Sequence, residues 1–91
     1  MADEIVKKKE ISAGRATIRG TRIRVMDIVE AHYVLGYTPE EIARSLRITV
    51  SQVFSALAYY HEHREEIEKD IREHKDVLLQ KLDSGKPEIK R

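Results

Sequence analysis

The residues whose types and spacing suit a chemical task are arginines and short polar side chains. Arg15, Arg19, Arg22 and Arg24 alternate with small and apolar residues, Arg44 and Arg47 follow, and Ser51, Gln52 and Ser55 come a few positions later. Guanidinium groups grip phosphate oxygens through paired N–H donors, and Ser or Gln side chains reach base edges or phosphates. The set therefore points to nucleic acid. The four earlier arginines could form a basic ribbon against phosphates, or they could keep a strand edge soluble; Arg22, inside Gly20-Thr21-Arg22, suits a turn. His61 and His63 invite a metal reading, but positions two apart on a helix point about 200° apart and cannot share one ion. His61 with Glu65 is the remaining pair, and histidines on a charged helix are more often plain surface residues, so no metal is expected. Tyr59 and Tyr60 read as a buried Tyr60 beside an exposed or interfacial Tyr59. No Gly-rich phosphate loop, Ser/His/Asp set or carboxylate cluster is present, so the chain is expected to be no enzyme and to need no cofactor.

Composition narrows what can position these residues. The 91 residues suffice for one domain with a modest core, and a second copy or a partner would help to cover it. With one Phe, four Tyr and no Trp, that core must rest on Ile, Leu, Val and Ala, a mixture that favours helices. The absence of Cys excludes disulfides and thiolate metal sites, and no apolar run approaches the roughly 18 residues of a membrane span. The three lysines before Glu10 are followed by no hydrophobic stretch of the signal-peptide kind. A cytoplasmic protein is the expectation. Net charge is +1, yet residues 1–24 carry seven Lys or Arg against three Asp or Glu, and residues 61–82 carry seven acids against five bases.

The element pattern predicts a mainly α fold: a short N-terminal β-hairpin, a three-helix core with a helix-turn-helix, and a long C-terminal helix. Residues 1–10 read as a flexible basic N-terminus, with order beginning near Ile11. In Ala16–Val25, Ile23 and Val25 alternate with Arg22 and Arg24 in the period of a half-buried strand, and Gly20-Thr21 could turn one short strand into another. Such a hairpin is marginal alone and needs a cover. Met26–Leu35 places Met26, Ile28, Val29, Ala31, Tyr33 and Leu35 for a helix face that Gly36 ends. Thr38-Pro39-Glu40-Glu41 is a capping box with Pro at the first helical position, opening a short helix that carries Ile42, Ala43 and Leu46 and stops near Arg47.

Thr49 and Gln52 repeat the box, and Val53, Phe54, Leu57 and Tyr60 then share one predicted buried face. With no obvious breaker, the helical pattern runs on from His61 to Leu82, with Ile67, Ile71, His74, Leu78 and Leu82 as a narrow stripe among charges. The expected layout is a hairpin and helix-turn-helix domain over 11–60, a partner-binding helix over 61–83 and a flexible tail over 84–91. A capped helix, a turn of about three residues and a second capped helix make a helix-turn-helix, whose second helix can enter a DNA major groove. Arg44 and Arg47 would meet phosphates, and Ser51, Gln52 and Ser55 bases or phosphates. The same geometry serves purely structural cores, and no Lys or Arg lies between Ile48 and His63, so both roles stay open. A homodimer is expected, with Ile18, Ile23, Val25 and the tail at its interface.

The run Gly14-Arg15-Ala16-Thr17-Ile18-Arg19-Gly20-Thr21-Arg22-Ile23-Arg24-Val25, then Gly36-Tyr37-Thr38-Pro39-Glu40-Glu41-Ile42 and Ala56-Leu57-Ala58-Tyr59-Tyr60, resembles the domain-of-unknown-function 433 family over about residues 11–70. Ala16 and Arg24 stand where that family commonly has Pro. The resemblance implies a type II antitoxin: operator DNA held by the N-terminal half, and a PIN-like ribonuclease toxin held by the C-terminal helix through Ile67, Ile71, Leu78 and Leu82. The competing expectations are a stand-alone helix-turn-helix transcriptional regulator and a structural dimeric adaptor that does not bind DNA.

Overall fold

A computed structural model describes residues 4–85, with the side chains of 76–85 excepted. The described elements are strands β1 (Ile5–Val6) and β2 (Thr17–Ile18), then helix α1 (Val25–Val29), which widens into a π-helical segment (Glu30–Val34). Helices α2 (Pro39–Leu46), α3 (Val50–Glu62) and α4 (Arg64–Gly85) follow. The fold is mainly helical, and none of the described helices is long and apolar enough to cross a membrane.

The strands correct the expected hairpin. β2 pairs antiparallel with β1, Ile5 opposite Ile18 and Val6 opposite Thr17, so residues 5 and 6 belong to the folded domain and its order begins before Ile11. Within 16–25 the turn is as expected: Thr21 N–H donates to Ile18 O (3.0 Å) around Gly20, whose φ of +81° suits glycine. Beyond that turn the two arms pair antiparallel over a short length, with a bridge between Thr17 and Arg24 flanked by Ile18 N–H donating to Ile23 O (2.9 Å) and Val25 N–H to Ala16 O (2.9 Å). Two apolar residues among lysines carry no period-2 pattern, yet Ile5 packs on the core, and that burial is what fixes the pairing.

The helix starts follow the sequence closely. Thr38 Oγ1 accepts from Glu41 N–H (3.1 Å) while the Glu41 carboxylate accepts from Thr38 N–H (2.9 Å), and Thr49 with Gln52 does the same at 3.0 and 2.8 Å. Replacing either Thr by Ala is expected to cost about 1 kcal/mol of unfolding free energy, read from urea denaturation. A loss confined to baseline scatter at both positions would mean that these caps contribute nothing. α1 opens differently: the Asp27 carboxylate accepts from Arg24 N–H (3.2 Å) and from its guanidinium at 2.9 Å twice.

Ile18, Val25, Met26, Ile28, Val53, Ala56 and Ile67 close one core among α1, α3, α4 and β2, with Ile42 and Ala43 joining from α2. Four expectations, three about facing and one about helix continuity, are corrected. Phe54 is exposed while Ala56 is buried, because Val53, Ala56, Leu57 and Tyr60 already define the inner face of α3. Tyr33 and Leu35 are exposed, since the π segment turns the end of α1 outward. The continuous helix expected from α3 to Leu82 breaks at His63, at φ −135° and ψ 51°, and α4 begins at Arg64. Ile18 and Val25, expected at a dimer interface, lie in the core of one chain, with Ile23 half-buried beside them.

Candidate nucleic-acid interface

α2 and α3 pack on one another and are joined by Arg47, Ile48 and Thr49. The closure is a left-handed turn: Ile48 N–H donates to Ala43 O (3.0 Å) with Arg47 at φ +61°. Glycine usually takes that position because a Cβ is strained there, and here a cation occupies it. Arg44 near the end of α2, Arg47 in the turn and Ser51 at the start of α3 are all exposed, three of the expected contact residues within eight positions of chain.

The other expected residues are placed less simply. Gln52 is half-buried, and its Oε1 is taken by the Thr49 amide (2.8 Å) and hydroxyl (3.3 Å), which leaves only its amide nitrogen for a ligand. Ser55 is half-buried and lines a cleft with Glu4, Ile5, Ala58, Tyr59, Glu62 and His63, away from Arg47. No acid lies in the first turn of α3, so its amides present positive potential to a phosphate.

The proposed basic ribbon is dismantled. Arg15 is spent on α4, at 3.6 Å from Asp70 and 3.4 Å from Glu73, and Arg24 is held by Asp27. Arg19 and Arg22 are exposed on the segment after β2.

The joint between α3 and α4 is built from aromatic and acidic groups. The Tyr59 hydroxyl donates to Glu66 (2.9 Å) and the Tyr60 hydroxyl to Glu68 (2.9 Å), so the last turn of α3 holds the first turns of α4 across the break. Burial, then the Glu66 carboxylate, pushes the Tyr59 phenol up to about 12, and burial with Glu68 raises Tyr60; both remain donors. His61 is bound to the Tyr33 hydroxyl (2.7 Å) and His63 stacks on Tyr59, centroids 4.2 Å apart. Among the described residues no three His, Asp or Glu side chains are grouped to hold a metal.

The partner-binding stripe is corrected in its first half. Ile67 is fully buried and Ile71 packs against the same core, so neither is an open anchor. The side chains of Leu78 and Leu82 lie outside the described residues, as does the tail from 86 onward.

A family model described as a protein of unknown function (DUF433) matches residues 5–60, from β1 to the last turn of α3. The chain belongs to the DUF433 family. The family unit thus includes β1, beginning before the residue-11 start of the sequence resemblance, and the matched span stops short of α4. A solved DUF433 structure, the crystal structure of a member from Anabaena variabilis ATCC 29413, is similar with a TM-score of 0.70 at 28% identity, covering 77% of this chain and 69% of that one. No similar protein was found among curated proteins.

Proposed function

We propose that this DUF433 chain is the antitoxin of a type II toxin-antitoxin pair. It holds operator DNA through α2 and α3 used as a helix-turn-helix, and a PIN-like ribonuclease toxin through the far end of α4. The observation that carries the DNA half is Arg47. An exposed arginine is kept in a left-handed conformation between two fully capped helices, where glycine would be less strained by about 1 kcal/mol. A local rule broken by a cation at the mouth of a helix N-terminus is what phosphate binding would maintain. Arg44 supplies a second phosphate contact, and Ser51 with the Gln52 amide nitrogen reaches toward base edges. The toxin half is supported by the backbone of α4, which stays helical to Gly85, about 18 Å beyond Glu73, where the described ion pairs to the domain end.

Arg47→Gly separates binding from folding. The variant is expected to unfold at higher urea concentration than the native chain while its affinity for a promoter fragment falls roughly tenfold, with a salt slope reduced by about one. Arg44→Ala lowers affinity to a similar degree across sequences, and Gln52→Ala mainly relaxes sequence choice. Gel shifts that stay unchanged for all three substitutions would remove α2 and α3 as the DNA surface. That result would favour a structural dimeric adaptor, a reading supported by the uncharged outer face of α3 from Ser51 to Ala58.

A further inference from the structure

α3 and α4 are parted by one residue. His63 is the single non-helical position between them, and no Gly or Pro lies between Val50 and Ser84. The helical bonding pattern is kept on both sides of the break, with His63 N–H donating to Tyr59 O (2.9 Å) and Ile67 N–H to His63 O (3.1 Å). Only the first amides of α4, those of Arg64, Glu65 and Glu66, lack a carbonyl of their own helix. Helical φ and ψ at His63 would give them Tyr60, His61 and Glu62, each four residues back. The apolar face also keeps step through the break: Leu57, Tyr60, Ile67 and Ile71, all buried in the core or packed on it, follow one another at helical spacing. What opposes a joined helix is packing. α4 turns back onto α1 and buries Ile67, while Lys7 reaches Glu66 (2.9 Å) and Arg15 reaches Asp70 (3.6 Å) and Glu73 (3.4 Å).

We infer that His63 is a hinge through which two copies of the chain exchange α4. Each copy joins α3 and α4 into one helix and lays Ile67 and Ile71 in the core of the other. A second copy is the occupant because the seat that α4 vacates is complementary to one element, α4 itself. The contacts that α4 gives up within its own chain re-form between copies: the burial of Ile67, the pair of Lys7 with Glu66, and those of Arg15 with Asp70 and Glu73. Closed and exchanged forms therefore share these contacts, and the difference lies at the hinge. There the exchanged form gains the three helix bonds of Arg64, Glu65 and Glu66 in each copy, against the cost of bringing two chains together. Arg44 and Arg47 lie on α2 and the turn after it, so the exchange is independent of the proposed DNA surface.

The chain has no Cys, so spin labels at Ser51→Cys and Lys75→Cys, both exposed positions, report on one chain when it is refolded with an excess of unlabelled chain. Refolding from urea at high concentration is expected to give a dimer in which the labelled positions are about 36 Å apart, the span of a straight helix from 51 to 75. The monomer holds them closer, because the break bends the path. His63 is exposed, and its replacement by Ala or by Gly removes the same stack on Tyr59. His63→Ala strengthens the dimer and His63→Gly weakens it, with dissociation constants about thirtyfold apart by sedimentation equilibrium, since the helix preference of Ala over Gly acts at both hinges. A chain that stays monomeric after such refolding, even as His63→Ala, would overturn the inference. A dimer whose labels keep the monomer distance would overturn it equally by placing the contact on another surface. Equal dissociation constants for the Ala and Gly variants would remove His63 as the hinge.

Discussion

Ile67→Ala is expected to lower the unfolding free energy by about 3 kcal/mol, and Ile67→Val by about 1 kcal/mol. Ile67 sits in the first turns of α4 yet is fully buried in the core that Ile18, Val25, Met26 and Ile28 also build. Removing its outer carbons forfeits burial and leaves a void that packed neighbours fill only in part. Urea denaturation of the two variants measures this. If α4 were a detached partner-binding helix, as the sequence stripe suggests, both substitutions would stay within about 0.5 kcal/mol of the native chain. The same placement bears on function. Ile67 is closed to any partner unless the domain opens, so under the proposed reading a toxin would contact α4 beyond Ile71.

What was legible in the sequence was what is encoded within four residues. Thr38 with Glu41 and Thr49 with Gln52 satisfy helix-end amides by themselves, so both helix starts, the turn between them and the exposed Arg44 and Arg47 follow from local chemistry. What failed depends on partners distant in sequence. β1 pairs with β2 across an intervening stretch, through strands of two residues, too short for any alternation to show. The break at His63 carries neither Gly nor Pro; it is held by Tyr59 and Tyr60 reaching over to Glu66 and Glu68, contacts that exist only once α4 has turned back. Phe54 shares a three-residue step with Leu57 and so reads as inward, but the inner face is centred on Val53, Ala56, Leu57 and Tyr60, and the small Ala56 carries no hydrophobic signal that would reveal this. At the candidate site, the left-handed backbone at Arg47 is invisible to a residue-by-residue reading, since the usual marker, glycine, is missing.

Arg15→Met, which keeps the aliphatic stem and removes the charge, is expected to cost about 2 kcal/mol near neutral pH, with a deficit that shrinks as pH falls. Three successive residues with positive φ, Ser12, Ala13 and Gly14, carry the chain to Arg15, and two of them are not glycine, so this approach is strained. The strain delivers the guanidinium to α4, against Asp70 at 3.6 Å and Glu73 at 3.4 Å, with Lys7 reaching Glu66 at 2.9 Å nearby. The Asp70 side chain is 15% exposed. Burial raises its pKa above the ordinary 3.8, Arg15 and Lys7 pull it down, and Glu66 and Glu73 push it up. A raised carboxylate pKa means that this group's contribution to stability is full below the unfolded value and is lost as pH rises through the folded one. Without Arg15 the folded pKa climbs further, so the variant's extra penalty is absent in acid, grows as pH passes the native pKa and levels off above the variant's own. Urea denaturation at a series of pH values reads the difference directly. A deficit that is the same in acid and at neutrality would show that Arg15 holds α4 by packing alone, and that Asp70 does not depend on it.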